Sequence, residues 1–441
     1  MVKSIEMESV IQESTQQMLV GGKCVDFQYP DPQTAKKQCW RTSMNTKFVV
    51  GFNTLTAGVN TLTIPPNNGI SDVLVQITLT APTTTTNVAL GAGWGYALIN
   101  RLSYRVGGSS QFFLTGQQVL NNALRNCPDG TARDAMITLG GPAIAPGDWT
   151  NANNKIAYVW LALPWTHPSA VSKMPPLPSD TLTQQIQIQL ENYGISQIVS
   201  NNGGSLTGLA VASGAFYVSQ VQLSNQGDSI SRRMNMTENS LNFPLEFTQQ
   251  EFAVSLGSLA SGASTTTSLT GFRSGEVKEV ICWLTCDVDT GSTANNPNKW
   301  YAPTNLTVTY AGDQYARYDN GMSKLWNLIN GRLVPTGALS VNQTSGGSIV
   351  NQPSQTSWVV LPFAQPYESE TYHTTLMAGK EITNGIVQLQ FTIPTAPDAY
   401  SGAAAGGIAA GGSISGNWTI HFSYVYNSVL VFSQGTCDFA F

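Results

Sequence analysis

Two stretches of this chain align without a gap: residues 102–126 (LSYRVGGSSQFFLTGQQVLNNALRN) and residues 306–330 (LTVTYAGDQYARYDNGMSKLWNLIN), 204 positions apart. Leu102/Leu306, Gly108/Gly312, Leu124/Leu328 and Asn126/Asn330 are identical, and each stretch reads as a strand, a turn and a helix. The spacing recurs to within a few residues elsewhere, as loop insertions allow. Residues 48–51 pair with 252–255, and 69–81 with 275–287. Residues 156–164 (IAYVWLALP) pair with 356–362 (TSWVVLP), Leu182-Thr183 with Ile382-Thr383, and 217–223 with the last strands at 421–432. A strand order repeated at this spacing implies two similar units of about 200 residues in tandem. The seam is expected near 225–242, giving a first unit over 45–228 and a second over 229–441.

Each unit is built of strands. From Phe48 onward, short alternating runs such as VLVQITLT (73–80), IAYVWLAL (156–163), LTQQIQIQL (182–190) and AFYVSQVQL (215–223) are separated by Gly, Pro, Asn and Asp. Alternation of apolar and polar residues marks half-buried antiparallel strands. Charged residues make up 11% of the chain, against roughly 25% in ordinary soluble proteins, which argues against solvated helix faces. Only 116–126 and 321–330 read as internal helices. The fold class is therefore all-β: two tandem eight-stranded jelly rolls, each with a short helix after the fourth strand. An immunoglobulin-type sandwich would need only about 100 residues per unit. Residues 1–44 differ: Met7, Val10, Ile11 and Met18 predict a short amphipathic helix over 4–19, ended by Gly21-Gly22 and followed by an extended arm.

Several functions are excluded or unsupported. Net charge is −5 and no Lys/Arg run exceeds two residues (Lys36-Lys37, Arg232-Arg233), so direct nucleic-acid binding is not expected. No run approaches the ~18–20 apolar residues of a membrane-spanning helix. Residues 1–20 carry Glu6, Glu8 and Glu13 with no apolar core or small-residue cleavage site, so no secretory leader is expected there. Cys24, Cys39, Cys127, Cys282, Cys286 and Cys437 are too sparse for a disulfide scaffold and read as buried thiols. Cys282 and Cys286 share a strand face but lack two further nearby ligands for zinc. The sequons at Asn235, Asn305, Asn342 and Asn417 are ascribed to chance in a Thr/Asn-rich chain.

No nucleophile elbow, zincin, phosphate-loop or CxxC pattern occurs. His167 and His373 fall at comparable places in the two repeats and read as polar loop residues. His421 alternates within a strand and reads as packed or at an edge. The carboxylate pairs Asp287/Asp289 and Glu368/Glu370 are the best catalytic rivals, because glycoside hydrolysis uses two carboxylates about 5–10 Å apart. They fit solvated loop rims better. No catalytic, cofactor-binding or metal-binding residue is assigned.

The order of elements resembles the double jelly-roll major capsid proteins of adenoviruses, tectiviruses, virophages, polinton-like viruses and large nucleocytoplasmic DNA viruses. The resemblance covers about 45–441. It is carried by NRLSYRV (100–106) with its following helix, and by YVWLALP (158–164) leading through a loop over 165–181 to the strand at 182–191. It implies a homotrimeric, pseudo-hexameric capsomer tiling an icosahedral shell, not an enzyme, with no cofactor. The implied partners are further copies, neighbouring capsomers, and penton and minor or cement proteins; an internal membrane beneath the shell is left open. The implied location is the virion capsid, made and assembled inside the host cell. Residues 140–154, 196–208, 331–357 and 395–417 become outer loops, and 4–19 an inner-face helix. The competing reading is a two-domain jelly-roll enzyme or binding module acting on glycans.

Overall fold

The computed structural model describes residues 41–50, 58–166, 177–223, 241–287, 301–318, 338–363, 380–394 and 415–440, apart from a few positions within these spans. The expected helices at 4–19 and 321–330, most of the 395–417 loop, and the seam at 225–240 lie outside the described residues, as do Cys24, Cys39, Asn235, His167, His373, Asp289, Glu368 and Glu370.

The first unit runs β1 (Arg41–Val50), β2 (Gly58–Ile64), β3 (Gly69–Leu79), β4 (Val88–Ala89), α1 (Trp94–Leu98), β5 (Ile99–Arg105), β6 (Phe112–Thr115), α2 (Gly116–Arg125), α3 (Gly130–Leu139), β7 (Ile156–Trp160), β8 (Ile186–Asn192), β9 (Ser200–Asn201) and β10 (Val211–Leu223). Its eight principal strands form two antiparallel sheets, ordered β1-β10-β3-β7 and β2-β8-β5-β6. Alternation dictates the sandwich: Val73, Val75, Ile77 and Leu79 of β3 and Ile186, Ile188 and Leu190 of β8 are all buried, while the residues between them face outward.

The second unit runs β11 (Leu241–Thr248), β12 (Phe252–Ala260), β13 (Ser264–Ser268), β14 (Glu276–Cys286), β15 (Thr304–Tyr310), β16 (Asp313–Tyr318), β17 (Ala338–Ser345), β18 (Ser348–Gln355), β19 (Val359–Pro362), β20 (Lys380–Glu381), β21 (Val387–Thr392), β22 (Ser415–Ser433) and β23 (Thr436–Ala440). One sheet runs β11-β22-β14-β19, with β12 and β23 also on β22 and β20 on β14; the other runs β13-β21-β15-β16. Strand for strand this is the first unit again. The long last strand (β10, β22) sits between the first strand (β1, β12) and the third principal strand (β3, β14), and β7 and β19 take the same edge.

Register refines the repeat. Phe216 lies opposite Val75 and Phe422 opposite Cys282, while Val159 and Val359 are the neighbours on the other side. Val75 therefore corresponds to Cys282, one residue beyond the sequence pairing of 69–81 with 275–287. Such a slip exchanges the two faces of a strand, and weakly similar valine-rich runs do not fix it.

Three local expectations change. A four-residue strand, β6, intervenes between β5 and α2, so α2 follows the fifth principal strand. Helices α1 and α3 were not foreseen. The run 156–163, read as one alternating strand, is shorter in the structure: β7 lies at the sheet's edge and ends at Trp160, and Leu161, Ala162 and Leu163 continue beyond it while staying buried. A short apolar run does not distinguish these cases.

Candidate functional site

The feature most worth explaining is the seam where α2 of the first sandwich meets the β11-β22-β14-β19 sheet of the second. Helix α2 has two buried faces. Val119, Leu120, Ala123 and Leu124 are buried at helical spacing and belong to the hydrophobic core. Gln117, Gln118, Asn122 and Arg125 reach residues of the second sandwich.

The start of α2 is a capping box. The Gln118 backbone N–H donates to Thr115 Oγ1 at 3.3 Å, and the Thr115 N–H donates to Gln118 Oε1 at 3.2 Å. The same side chains grip the second sandwich. Gln118 Nε2 donates to Gln249 O and to Ser423 Oγ, each at 2.7 Å, and its Oε1 accepts the Glu251 N–H at 3.0 Å. Thr115 Oγ1 donates to Glu251 Oε2 at 2.6 Å. Gly116 must be glycine, because a Cβ there would lie 2.0 Å from the Ile99 carbonyl oxygen.

From Glu251 the network runs into the sheet. His421 Nδ1 lies 2.9 Å from Glu251 Oε1 and its Nε2 lies 2.8 Å from Thr285 Oγ1. Its ring stacks parallel to Trp283, with centroids 5.4 Å apart, and Trp283 Nε1 donates to Gln117 Oε1 at 2.9 Å. His421 is therefore packed, as one of the two sequence readings had it. A hydroxyl–imidazole–carboxylate row can serve hydrolysis. Here Trp283 covers the ring, and Thr115 from the other sandwich ties down the carboxylate.

At the far end of α2, Arg125 pairs with Glu279 and lies 3.5 Å from Glu246, which also pairs with Lys278. Two cations and two carboxylates thus share one largely buried cluster. A second anchor is aromatic. Phe112 of β6 meets Phe247 of β11 and Phe439 of β23 edge-on, each at 5.0 Å, with Arg273 5.6 Å above Phe112. The turn before β23 supplies a third, since the Thr183 N–H donates to Gly435 O at 2.8 Å.

The remaining candidates do structural work. Asp287 Oδ1 and Oδ2 accept from the Asn417 N–H (2.8 Å) and Nδ2 (2.6 Å), tying the end of β14 to β22. The sequon residue Asn417 is thereby engaged. Cys127, Cys282, Cys286 and Cys437 are buried free thiols, and burial pushes the Cys282 thiol up to about 12. Burial also pushes the Tyr426 phenol up to about 12, so it stays a neutral donor to Gln249 Oε1 at 2.8 Å.

No protein-family model matches the chain, and no curated protein sequence matches it significantly. Solved structures do. The PBCV-1 virus capsid protein superposes with a TM-score of 0.58 at 12% identity, covering 91% of this chain and 97% of that one. The Faustovirus major capsid protein gives 0.55 at 9% identity, over 98% of both chains. The mavirus major capsid protein gives 0.54 at 9%, over 95% and 94%. The chain has the double jelly-roll fold. The seam leaves a signature in the sequence. TGQQ at 115–118 is a capping-box pattern, and the amides within and after it have the composition of a solvated helix face.

Proposed function

We propose that the chain is a major capsid protein whose homotrimers form pseudo-hexameric capsomers tiling an icosahedral shell. The observation that carries this reading is the repetition of one eight-stranded topology in two units locked by a polar and aromatic seam. A rigid pair of like units lets three chains present six similar sides, and closed symmetric rings are the usual outcome of such repetition. The low charged fraction of 11% agrees, because subunit interfaces are depleted of Lys, Glu and Asp at their cores. Neighbouring capsomers, penton proteins and minor or cement proteins are the partners this role implies, and the virion shell is the location. Residues 4–19 would lie on the inner face, against neighbouring subunits or a membrane. The protein acts by assembly and not by catalysis.

The test is the mass of the purified full-length chain by native mass spectrometry or light scattering. A species of three times 47.2 kDa is expected. A monodisperse monomer across the accessible concentration range would overturn the reading.

A further inference from the structure

The contact between α2 and the second sandwich can be followed along one strand. Gln118 reaches Ser423 of β22. Asn122 meets Thr248, which lies opposite Val425. Arg125 reaches Glu246, which lies opposite Asn427. Helix α2 therefore runs along β22 from Ser423 toward Asn427, seven residues of helix (roughly 10 Å) against four of strand (roughly 13 Å). Asn121 lies between these contacts, three residues after Gln118 and one turn before Arg125, and so shares their face. It is 1% exposed, and neither its Oδ1 nor its Nδ2 has a hydrogen-bond partner among the described residues. The same holds for Oδ1 and Nδ2 of Asn427, which are also out of contact with solvent.

Register places Asn427 at the charge cluster. Lys278 sits in a bulge of β14 between Val277 and Glu279, which lie opposite Tyr426 and Val425. It pairs with Glu246 of β11, and β22 is the strand between β14 and β11. The ion pair thus bridges β22 at the level of Asn427. Two buried carboxamides, one from each sandwich, are left with four unmatched polar atoms along one short stretch of the seam. Folded proteins pair nearly all such atoms with protein or with ordered water, because an unpaired one is costly.

We propose that the seam holds a site for ordered water between Asn121 and Asn427, joining the helix of the first sandwich to the long last strand of the second. The donor set selects the ligand. Each carboxamide offers an acceptor oxygen and a donor NH2 group, and water matches both. An anion is repelled by the carbonyl oxygens, and a cation by the NH2 groups. The charges nearby, Arg125 and Lys278 against Glu246 and Glu279, cancel, so no net charge draws an ion. Buried water with two to four polar partners is a regular structural part of proteins. Here it completes the seam between the grip of Gln118 and the cluster around Arg125.

The experiment uses the full-length protein and has two readouts. The first is a crystal or electron-microscopy map of the wild type fine enough to show ordered water. Density for water within hydrogen-bond distance of both amides is the expected result. Amides bonded directly to each other or to other protein groups, or an ion in the site, overturn the inference. The second is calorimetry of Asn121→Leu, Asn427→Leu and the double variant. Leucine is close to asparagine in size and removes both polar atoms. Each single variant leaves the other amide without its bridge, and its melting temperature is expected to fall by roughly 2–12 °C. The double variant orphans neither amide, so its fall is expected to be smaller than the sum of the two. A single variant that melts at or above the wild type, or losses that simply add, overturns the inference. The wild-type map decides the case where a variant does not fold.

Discussion

Replacing Arg125 by Met tests whether α2 locks the two sandwiches into one body. The side chains of Arg125, Lys278, Glu246 and Glu279 are 14%, 11%, 8% and 4% exposed. Two positive and two negative charges sit together, so the cluster is neutral overall. Methionine fills much of the arginine stem's volume but removes one cation, leaving Lys278 to balance two carboxylates. Breaking a buried pair from one side costs about 3–5 kcal/mol, because the remaining charge stays in a medium that solvates it poorly. For a unit of this size that corresponds to a melting-point drop of roughly 6–20 °C. Calorimetry of the purified protein, with urea denaturation as a second probe, measures the loss. The companion variant carries Arg125→Met together with Glu279→Gln and restores neutrality. Its cost should fall below about 2 kcal/mol, since replacing both members of a buried pair is far milder than orphaning one. The double-mutant cycle then reports a coupling well outside ordinary additivity. Equal losses for the single and double variants, or a single-variant loss under about 1 kcal/mol, would refute the buried-lock argument.

Three further outcomes follow from the geometry. Burial raises the Asp72 carboxyl above its ordinary value, against smaller opposing effects of its hydrogen bonds to Trp160 and Ser71. The folded chain therefore holds that proton more tightly than the unfolded chain does, and the stability this contributes is lost as pH rises through the folded pKa. Asp72→Asn should raise the melting temperature at pH 7 and leave it nearly unchanged near pH 3; a destabilisation at pH 7 would contradict the burial effect. Gly116→Ala should give insoluble or unfolded protein, because the added methyl collides with the Ile99 carbonyl, and a native-like melt would show that the β6–α2 junction is built otherwise. The Cys282 thiol, buried and raised to about 12, should resist alkylation in native buffer and label only in denaturant, as read by peptide mapping.

The duplication was legible because alternation and spacing survive even where identity does not. The strands fell where period-two runs stood, and α2 where Val119, Leu120, Ala123 and Leu124 recur at helical spacing. Helix α1 was hidden because all five of its residues, WGYAL, are buried and show no periodicity. Strand β6 was hidden by its length of four residues. The edge position of β7 was unreadable, since its Val159 and Trp160 run on into Leu161, Ala162 and Leu163 as one buried apolar stretch. The seam was harder still. Gln117, Gln118, Asn122 and Arg125 are the residues that a solvated helix face would carry. Only the partner surface, itself assembled from β14, β22 and the turn at 249–251, reveals that their hydrogen bonds are made to protein. Lys278 and Glu279, inside an otherwise apolar strand, were the one visible hint that the outer face of β14 is covered by a polar partner.

On the proposed capsid role, one sandwich written twice with a fixed seam would let three chains imitate a six-sided tile. Single-particle electron microscopy of the purified full-length protein tests it most directly. A threefold particle of hexagonal outline is expected, its six lobes alternating between first and second sandwiches around the rim. A particle without that alternation, or a chain that stays single at every concentration imaged, would contradict it.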